Sequence, residues 1–171
     1  MKSDWAESRA DVKTIDMSHC HKEVLSAYIH WLYFKNIPLD KIEGPLGVDF
    51  TLLAQAFVLG EELMDVKFKN TIVDTFLSLE LKHSALPNAT SLNIIYDGTP
   101  PSSPMRCLML DFYAYGISDD VSWNVVLEAC SKDVLVDIIT TMSKFRARAA
   151  TEARPWRLSN LKYHEKEDES F

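Results

Sequence analysis

The densest cluster of chemically capable side chains is His19-Cys20-His21. In an extended segment alternate residues face the same side, so His19 and His21 point together, as two ligands of one metal would. Zinc takes three or four protein ligands, and the chain has no second His/Cys cluster at the usual spacing. The cluster therefore reads as a polar loop before a helix. Gly44-Pro45-Leu46-Gly47 carries a proline in place of one amide donor and lacks a following lysine–hydroxyl pair, so it reads as a turn and not as a phosphate-binding loop. Glu61-Glu62 and Asp119-Asp120 suit helix surfaces and caps better than a general acid–base couple. His30 beside Trp31 reads as a partly buried packing residue, and His83 and His164 have no visible partner. Cys107 and Cys130 sit in apolar helical segments and read as small buried hydrophobes. No catalytic residue, metal ligand or cofactor is expected, and the chain reads as a non-enzyme.

One basic stretch remains. Lys144, Arg146, Arg148, Arg154 and Arg157 surround Trp156, and arginine beside an aromatic can grip nucleic acid or an acidic peptide. With 18 Lys+Arg against 25 Asp+Glu and a net charge of -7, a nucleic-acid backbone is a poor partner. The favoured reading is a solvated helix end whose cations suit the negative pole of the helix. Contact with an acidic protein surface is the binding alternative, for which Arg146, Arg148 and Trp156 are the candidate residues. Of the aromatics Trp31, Tyr33, Phe34 and Trp123, most are expected in the core, and one or two as exposed interface residues.

These residues need elements to hold them, and the spacing supplies mostly helices. Val24, Leu25, Tyr28, Leu32 and Tyr33 recur three and four apart over 23–34, and Asn36-Ile37-Pro38 stops the helix. Leu52, Leu53, Ala56, Phe57, Leu59, Gly60, Leu63 and Met64 cover more than one face, which predicts an almost fully buried helix. Asp65 is placed to cap the next one, where Phe68, Ile72, Phe76 and Leu79 face inward and Lys67, Lys69, Asn70, Asp74 and Ser78 face water. Asn88 caps a shorter helix with Leu92, Ile95 and Tyr96 inward, closed by Gly98. Ser103-Pro104 pairs a capping hydroxyl with a first-turn proline and opens a helix through Met105, Leu108, Met109, Phe112 and Tyr115 to Gly116. Asp119-Asp120 precede a short helix with Trp123 and Leu127. Ser131 precedes the last long one, with Leu135, Ile138, Met142 and Phe145 inward. A short strand is expected over 12–17, flexibility over 1–11, and a charged, disordered tail over 151–171.

Composition sets the outer bounds. At 171 residues and 47% hydrophobic content the chain can bury the core of one ordinary domain. No stretch approaches the ~20 apolar residues of a membrane-spanning helix. Three widely spaced cysteines read as reduced thiols, which points to the cytoplasm or nucleus. The fold class expected is mainly α, a helical bundle of about six helices with at most one short N-terminal strand.

A resemblance adds what spacing does not. Tyr28-Ile29-His30-Trp31-Leu32-Tyr33-Phe34-Lys35-Asn36-Ile37-Pro38 resembles a helical element of BTB/POZ domains in the form common in filamentous fungi. Leu52 to Asp65 resembles the next helix of that family, with Phe68-Lys69-Asn70 continuing it. Ile94-Ile95-Tyr96-Asp97-Gly98-Thr99-Pro100-Pro101-Ser102-Ser103-Pro104-Met105-Arg106 looks like the junction that follows. The matches fall in order across residues 8 to 145. They imply a partial BTB/POZ-like region over 12–82 and a helical extension over 83–150. The strand-rich first half of the family's domain, with its dimerisation helix, has no counterpart in the sequence.

The resemblance implies a scaffold or adaptor that binds proteins, with a link to cullin-3 ubiquitin ligases and without a small-molecule substrate. Tyr33 occupies the position of a tyrosine that often touches the cullin in that family; Phe34-Lys35 replaces the family's more usual small pair. Tyr33 and Phe34 are therefore candidate interaction residues, with Tyr33 as ordinary core the competing reading. A self-associating structural protein is the alternative, since helices without their sheet keep apolar faces to bury. A nucleic-acid binder or an unrecognised enzyme is the weaker one.

Overall fold

The structure is a computed structural model that describes residues 17, 20–44, 47–116, 122–145 and 155–165. Among these residues eight helical segments dominate: α1 (Lys22–Phe34), α2 (Thr51–Glu62), α3 (Val66–His83), α4 (Ala89–Gly98), α5 (Pro104–Gly116), α6 (Ser122–Glu128), α7 (Lys132–Phe145) and the single turn α8 (Pro155–Leu158). Two 3₁₀ turns, Leu39–Lys41 and Leu161–Tyr163, complete the helical content. The protein is mainly α, as its periodicity requires. The expected strand over 12–17 lies outside the described residues but for Met17. The turn expected at 44–47 is flanked by a minimal antiparallel pair, β1 (Glu43–Gly44) with β2 (Gly47–Val48), in which Glu43 faces Val48.

α2 is the hub, packing against α1, α3 and α4. Its Leu53, Ala54, Ala56, Phe57, Leu59 and Gly60 are all buried, which is why its sequence reads as apolar on more than one face. Close approach explains two glycines. A Cβ on Gly60 would stand 2.6 Å from Cγ of Lys69, and one on Gly98 would stand 2.4 Å from a Val58 methyl. Ala54, Phe57, Phe68, Ile72, Phe76 and Leu92 are essentially sealed from solvent, and the Phe50 and Phe76 rings stack at 5.2 Å.

The starts of α3 and α4 follow from side-chain oxygens that satisfy first-turn amides. Oδ1 of Asp65 accepts from the Phe68 amide at 3.0 Å, while its Oδ2 accepts from the Tyr28 hydroxyl at 3.1 Å and so ties α1 to the start of α3. Oδ1 of Asn88 accepts from the amide and the hydroxyl of Ser91. Ser103 departs from the pattern. Its hydroxyl is buried without a hydrogen-bond partner, and the main-chain oxygen of Ser103 accepts from the Arg106 amide instead. Arg106 reaches back to main-chain oxygens of Tyr96 and Thr99, fastening a turn that the Ser103 hydroxyl and Pro104 were expected to make.

α5 carries the second part of the core. Met105, Leu108, Met109, Phe112 and Tyr113 are fully buried, and the helix packs against α7, whose Val134 and Ile138 point inward. Met142, expected inward, is 37% exposed. Asn93 bridges α4 to the α6–α7 turn, donating to the Ala129 carbonyl and accepting from the Ser131 amide.

The expectation of a disordered tail over 151–171 fails for 155–165. This segment lies against α3 and α5 with Trp156 and Tyr163 buried. Its composition is charged, but its charges have partners on the body.

Candidate protein-interaction surface

α1 has two unlike faces. Val24, Ala27 and Trp31 are buried at a spacing of three and four, and polar bonds hold that face in place. The Trp31 indole donates to Oγ1 of Thr71 at 3.0 Å. The Phe68 ring packs against both Tyr28 and Trp31 at 4.8 and 5.2 Å. Lys35 ends the helix in a left-handed conformation (φ 56°), and its ammonium lies 4.2 Å above the Trp31 ring. With the inner face fixed, the helix has no freedom to rotate its other side chains inward.

The C-terminal part of the outer side is apolar, beyond the exposed Lys22, Glu23 and Ser26. Ile29 and Leu32 are about half exposed, Tyr33 is 79% and Phe34 65% exposed. Ile29, Leu32 and Tyr33 follow at three and four, so they adjoin on one strip of the helix. The Phe34 ring leans on His30 at 4.6 Å, and His30 pairs through Nε2 with Oδ1 of Asn36 at 2.9 Å. Aromatic and branched side chains gathered on one exposed strip are the composition of an interface centre. Tyr33 is thus a surface residue, and its reading as core is set aside. Trp31 is the aromatic of this stretch that stays inside.

The other sequence-derived candidates fare differently. Arg146 and Arg148 lie outside the described residues. Trp156 is not a surface contact: it is 5% exposed, with its ring edge-on to Phe112 and Tyr115 at 5.1 and 5.6 Å and its Nε1 donating to Oε2 of Glu80 at 3.1 Å. A buried carboxylate that can accept a hydrogen bond from the indole N–H draws the ring in.

Neither histidines nor cysteines assemble a reactive centre among the described residues. Cys20 and His21 line a small, mainly apolar cavity of about 130 Å³ with Val24, Val58 and Leu59, and His19 lies outside the described set. Burial first, then the Glu62 carboxylate, pushes the Cys20 thiol up, which keeps it from being a ready nucleophile. Cys107 is exposed and not buried as expected; Cys130 is buried, and all three cysteines are free thiols. No group of three or more His, Cys, Asp or Glu among the described residues could hold a metal ion, and no described helix is long and apolar enough to cross a membrane.

Sequence reasoning missed the polar seat of the 155–165 segment. Lys69, expected in water, is only 4% exposed and pairs with Glu61 at 3.0 Å and with Glu165. Glu80 is 1% exposed and Asp111 6%. Glu80 takes Trp156 and Arg157; Asp111 takes Lys162 at 2.9 Å and the Tyr163 hydroxyl at 2.7 Å. Periodicity could have flagged Asp111, which adjoins Phe112 in an otherwise apolar helix, but nothing local names a partner 52 residues away. Compared with models of protein families, with curated proteins and with solved structures, the chain has no match.

Proposed function

We propose that this chain is a protein-interaction module, a BTB/POZ-like scaffold or adaptor that engages its partner, a cullin-3 ubiquitin ligase, through the outer strip of α1. One observation carries the reading: Ile29, Leu32, Tyr33 and Phe34 remain exposed on a helix whose opposite face is fixed by hydrogen bonds and ring packing. Tyr33 and Phe34 expose most of rings that bury about 150–250 Å² when covered, so together they offer a few hundred Å², the size of a functional patch. The link to cullin-3 rests on the motif resemblance around Tyr33.

The test is titration of the full chain against the N-terminal domain of cullin-3 by calorimetry. Micromolar or tighter binding is expected, weakened at least tenfold by Tyr33→Ala and again by Phe34→Ala, with the circular dichroism of each variant unchanged. A wild-type chain that does not bind, or variants that bind as well as wild type, removes the cullin reading.

A second reading is self-association, favoured by another outward apolar strip on α7, where Val136 is 52% and Ile139 66% exposed. Sedimentation across a hundredfold concentration range decides it, since a monomer throughout excludes a stable homodimer built on either strip.

A further inference from the structure

Residues 155–165 are held as a bound peptide is held, by groups that read a main chain and groups that read side chains. Oδ1 of Asn70 accepts from the Glu165 amide at 2.9 Å, and its Nδ2 donates to the Glu165 carbonyl at 3.3 Å. One side-chain amide thus satisfies both main-chain groups of a single residue, which fixes a strand of peptide whatever its sequence. The other partners select chemistry. Glu80 receives the indole N–H of Trp156 and the guanidinium of Arg157. Asp111 receives the ammonium of Lys162 and the hydroxyl of Tyr163. Asp74 receives the amide of Asn160 at 2.7 Å and pairs with the His164 ring at 2.8 Å. Lys69 supplies a reversed charge, for Glu165. Three acids on α3 and α5 therefore face an aromatic–basic segment, and two of those acids are almost fully buried once it is seated.

Such a seat does not require that its occupant be the same molecule. From Phe145 to Pro155 there are ten Cα steps, at most about 35 Å of extended chain, and the contacts of the segment are made by side chains that a second copy reproduces. We propose that the α3/α5 seat is a peptide-binding groove, filled in cis by residues 155–165 and able to take the same segment from a second copy of this chain. Its own segment, tethered at an effective concentration in the millimolar range, competes with every incoming one, so the groove is masked in the closed monomer. The outer strip of α1 plays no part in this, and the groove stands or falls independently of cullin binding.

The experiment measures fluorescence anisotropy of a labelled peptide carrying the sequence of residues 155–165 against the full chain. Trp156→Ala combined with Tyr163→Ala, made in the protein and not in the peptide, unmasks the groove, and binding at least tenfold tighter than to wild type is expected. Asn70→Ala added to that variant, or the two alanines placed in the peptide, abolishes the gain. Should the double variant not fold, Asn160→Ala with Lys162→Ala leaves both buried rings in place and gives a gain of about threefold. Sedimentation of the unmasked variant mixed with a donor chain whose own seat is weakened by Asn70→Ala and Asp74→Ala, both carrying Tyr33→Ala, yields a one-to-one complex. Equal peptide binding by folded wild-type and unmasked chains, binding of a scrambled peptide as tight as the true one, or a mixture that stays monomeric overturns the proposal.

Discussion

Two short stretches of this protein look alike on paper and end in opposite places. Trp31-Leu32-Tyr33-Phe34-Lys35 closes α1, and Pro155-Trp156-Arg157-Leu158 forms α8; each sets aromatic and apolar residues beside a cation. In the first, Tyr33 and Phe34 stand in solvent. In the second, Trp156 is buried with its N–H on Glu80. The difference lies in what waits opposite. An aromatic ring with a polar edge, as in Tyr33 or Trp156, is buried at low cost only where that edge finds an acceptor; Glu80 supplies one to Trp156, while Phe112 and Tyr115 pack edge-on to its ring. Trp31 makes the same point within the first stretch, since it finds Thr71 and is buried.

The largest effect expected from breaking this contrast is that of Trp156→Ala. It removes a packed ring and leaves the Glu80 carboxylate short of a donor, a loss of about 3 kcal/mol in urea denaturation. Tyr33→Ala, made as its counterpart, changes stability by no more than about 0.5 kcal/mol. Similar losses for the two would mean that the rings are equivalently placed and that the contrast is false.

Lys69 sharpens the comparison from the body's side. Lys69→Ala removes an ammonium shared by Glu61 and Glu165, whose side chains are 20% and 24% exposed. Water can reach both carboxylates afterwards, so the expected loss is about 1–2 kcal/mol and not that of a fully orphaned buried charge. Lys69→Met keeps the stem that lies against Gly60 and loses less. Chemical denaturation of the pair separates charge from packing.

How much of this was legible in the sequence follows from the range of the interactions involved. Helix bodies and the caps at Asp65 and Asn88 depend on residues three and four apart, and the sequence shows them directly. Asp74 and Ser78, expected in water, are exposed. Lys69 shares their polar side of the pattern and is buried, because Glu165 comes back to it from 96 residues downstream. The tail misled for the same reason. Charge and lack of period mark a disordered end only when nothing complementary exists elsewhere, and Asp74, Glu80 and Asp111 are recognisable as complements only once α3 and α5 are side by side. Tyr33 was legible through motif resemblance as a candidate, but its exposure needed the geometry of Trp31 and Phe68 on the other face. Arg146 and Arg148 fall outside the described residues.

A smaller effect concerns alkaline pH. Burial first, then its hydrogen bond to Asp111, raises the Tyr163 phenol well above its ordinary value of 10. A group whose proton is held more tightly in the folded state contributes stability that is intact below its unfolded pKa and declines as pH climbs toward the folded one. The seated segment should therefore loosen as pH rises above about 10. Tyr163→Phe, at a loss of about 1 kcal/mol near neutrality for the missing hydrogen bond, should flatten that alkaline decline in a pH series of denaturation curves. An unchanged slope would assign the decline to other phenols, Tyr96 and Tyr113 being raised by burial as well.

The smallest effect is expected where an ion pair resembles that of Glu80 but lies in the open. Glu43 accepts from Lys82 at 2.8 Å and pairs with His83 at 2.9 Å, linking β1 to the last turn of α3. The Lys82 hydrogen bond, then that of His83, holds the Glu43 carboxyl below its ordinary 4.5. A depressed carboxyl contributes above its unfolded pKa and loses that contribution as pH falls through the folded one, so the window lies below about 4.5. Solvent screens the pair and Lys82 is more than half exposed, which leaves little to lose. Glu43→Gln should then shift the acid limb of a pH–stability curve slightly and lose even that shift in 0.5 M salt, whereas the response to Trp156→Ala should persist in salt. A salt-resistant loss at Glu43 as large as that at Trp156 would show that exposure does not divide the weak contacts of this fold from the strong ones.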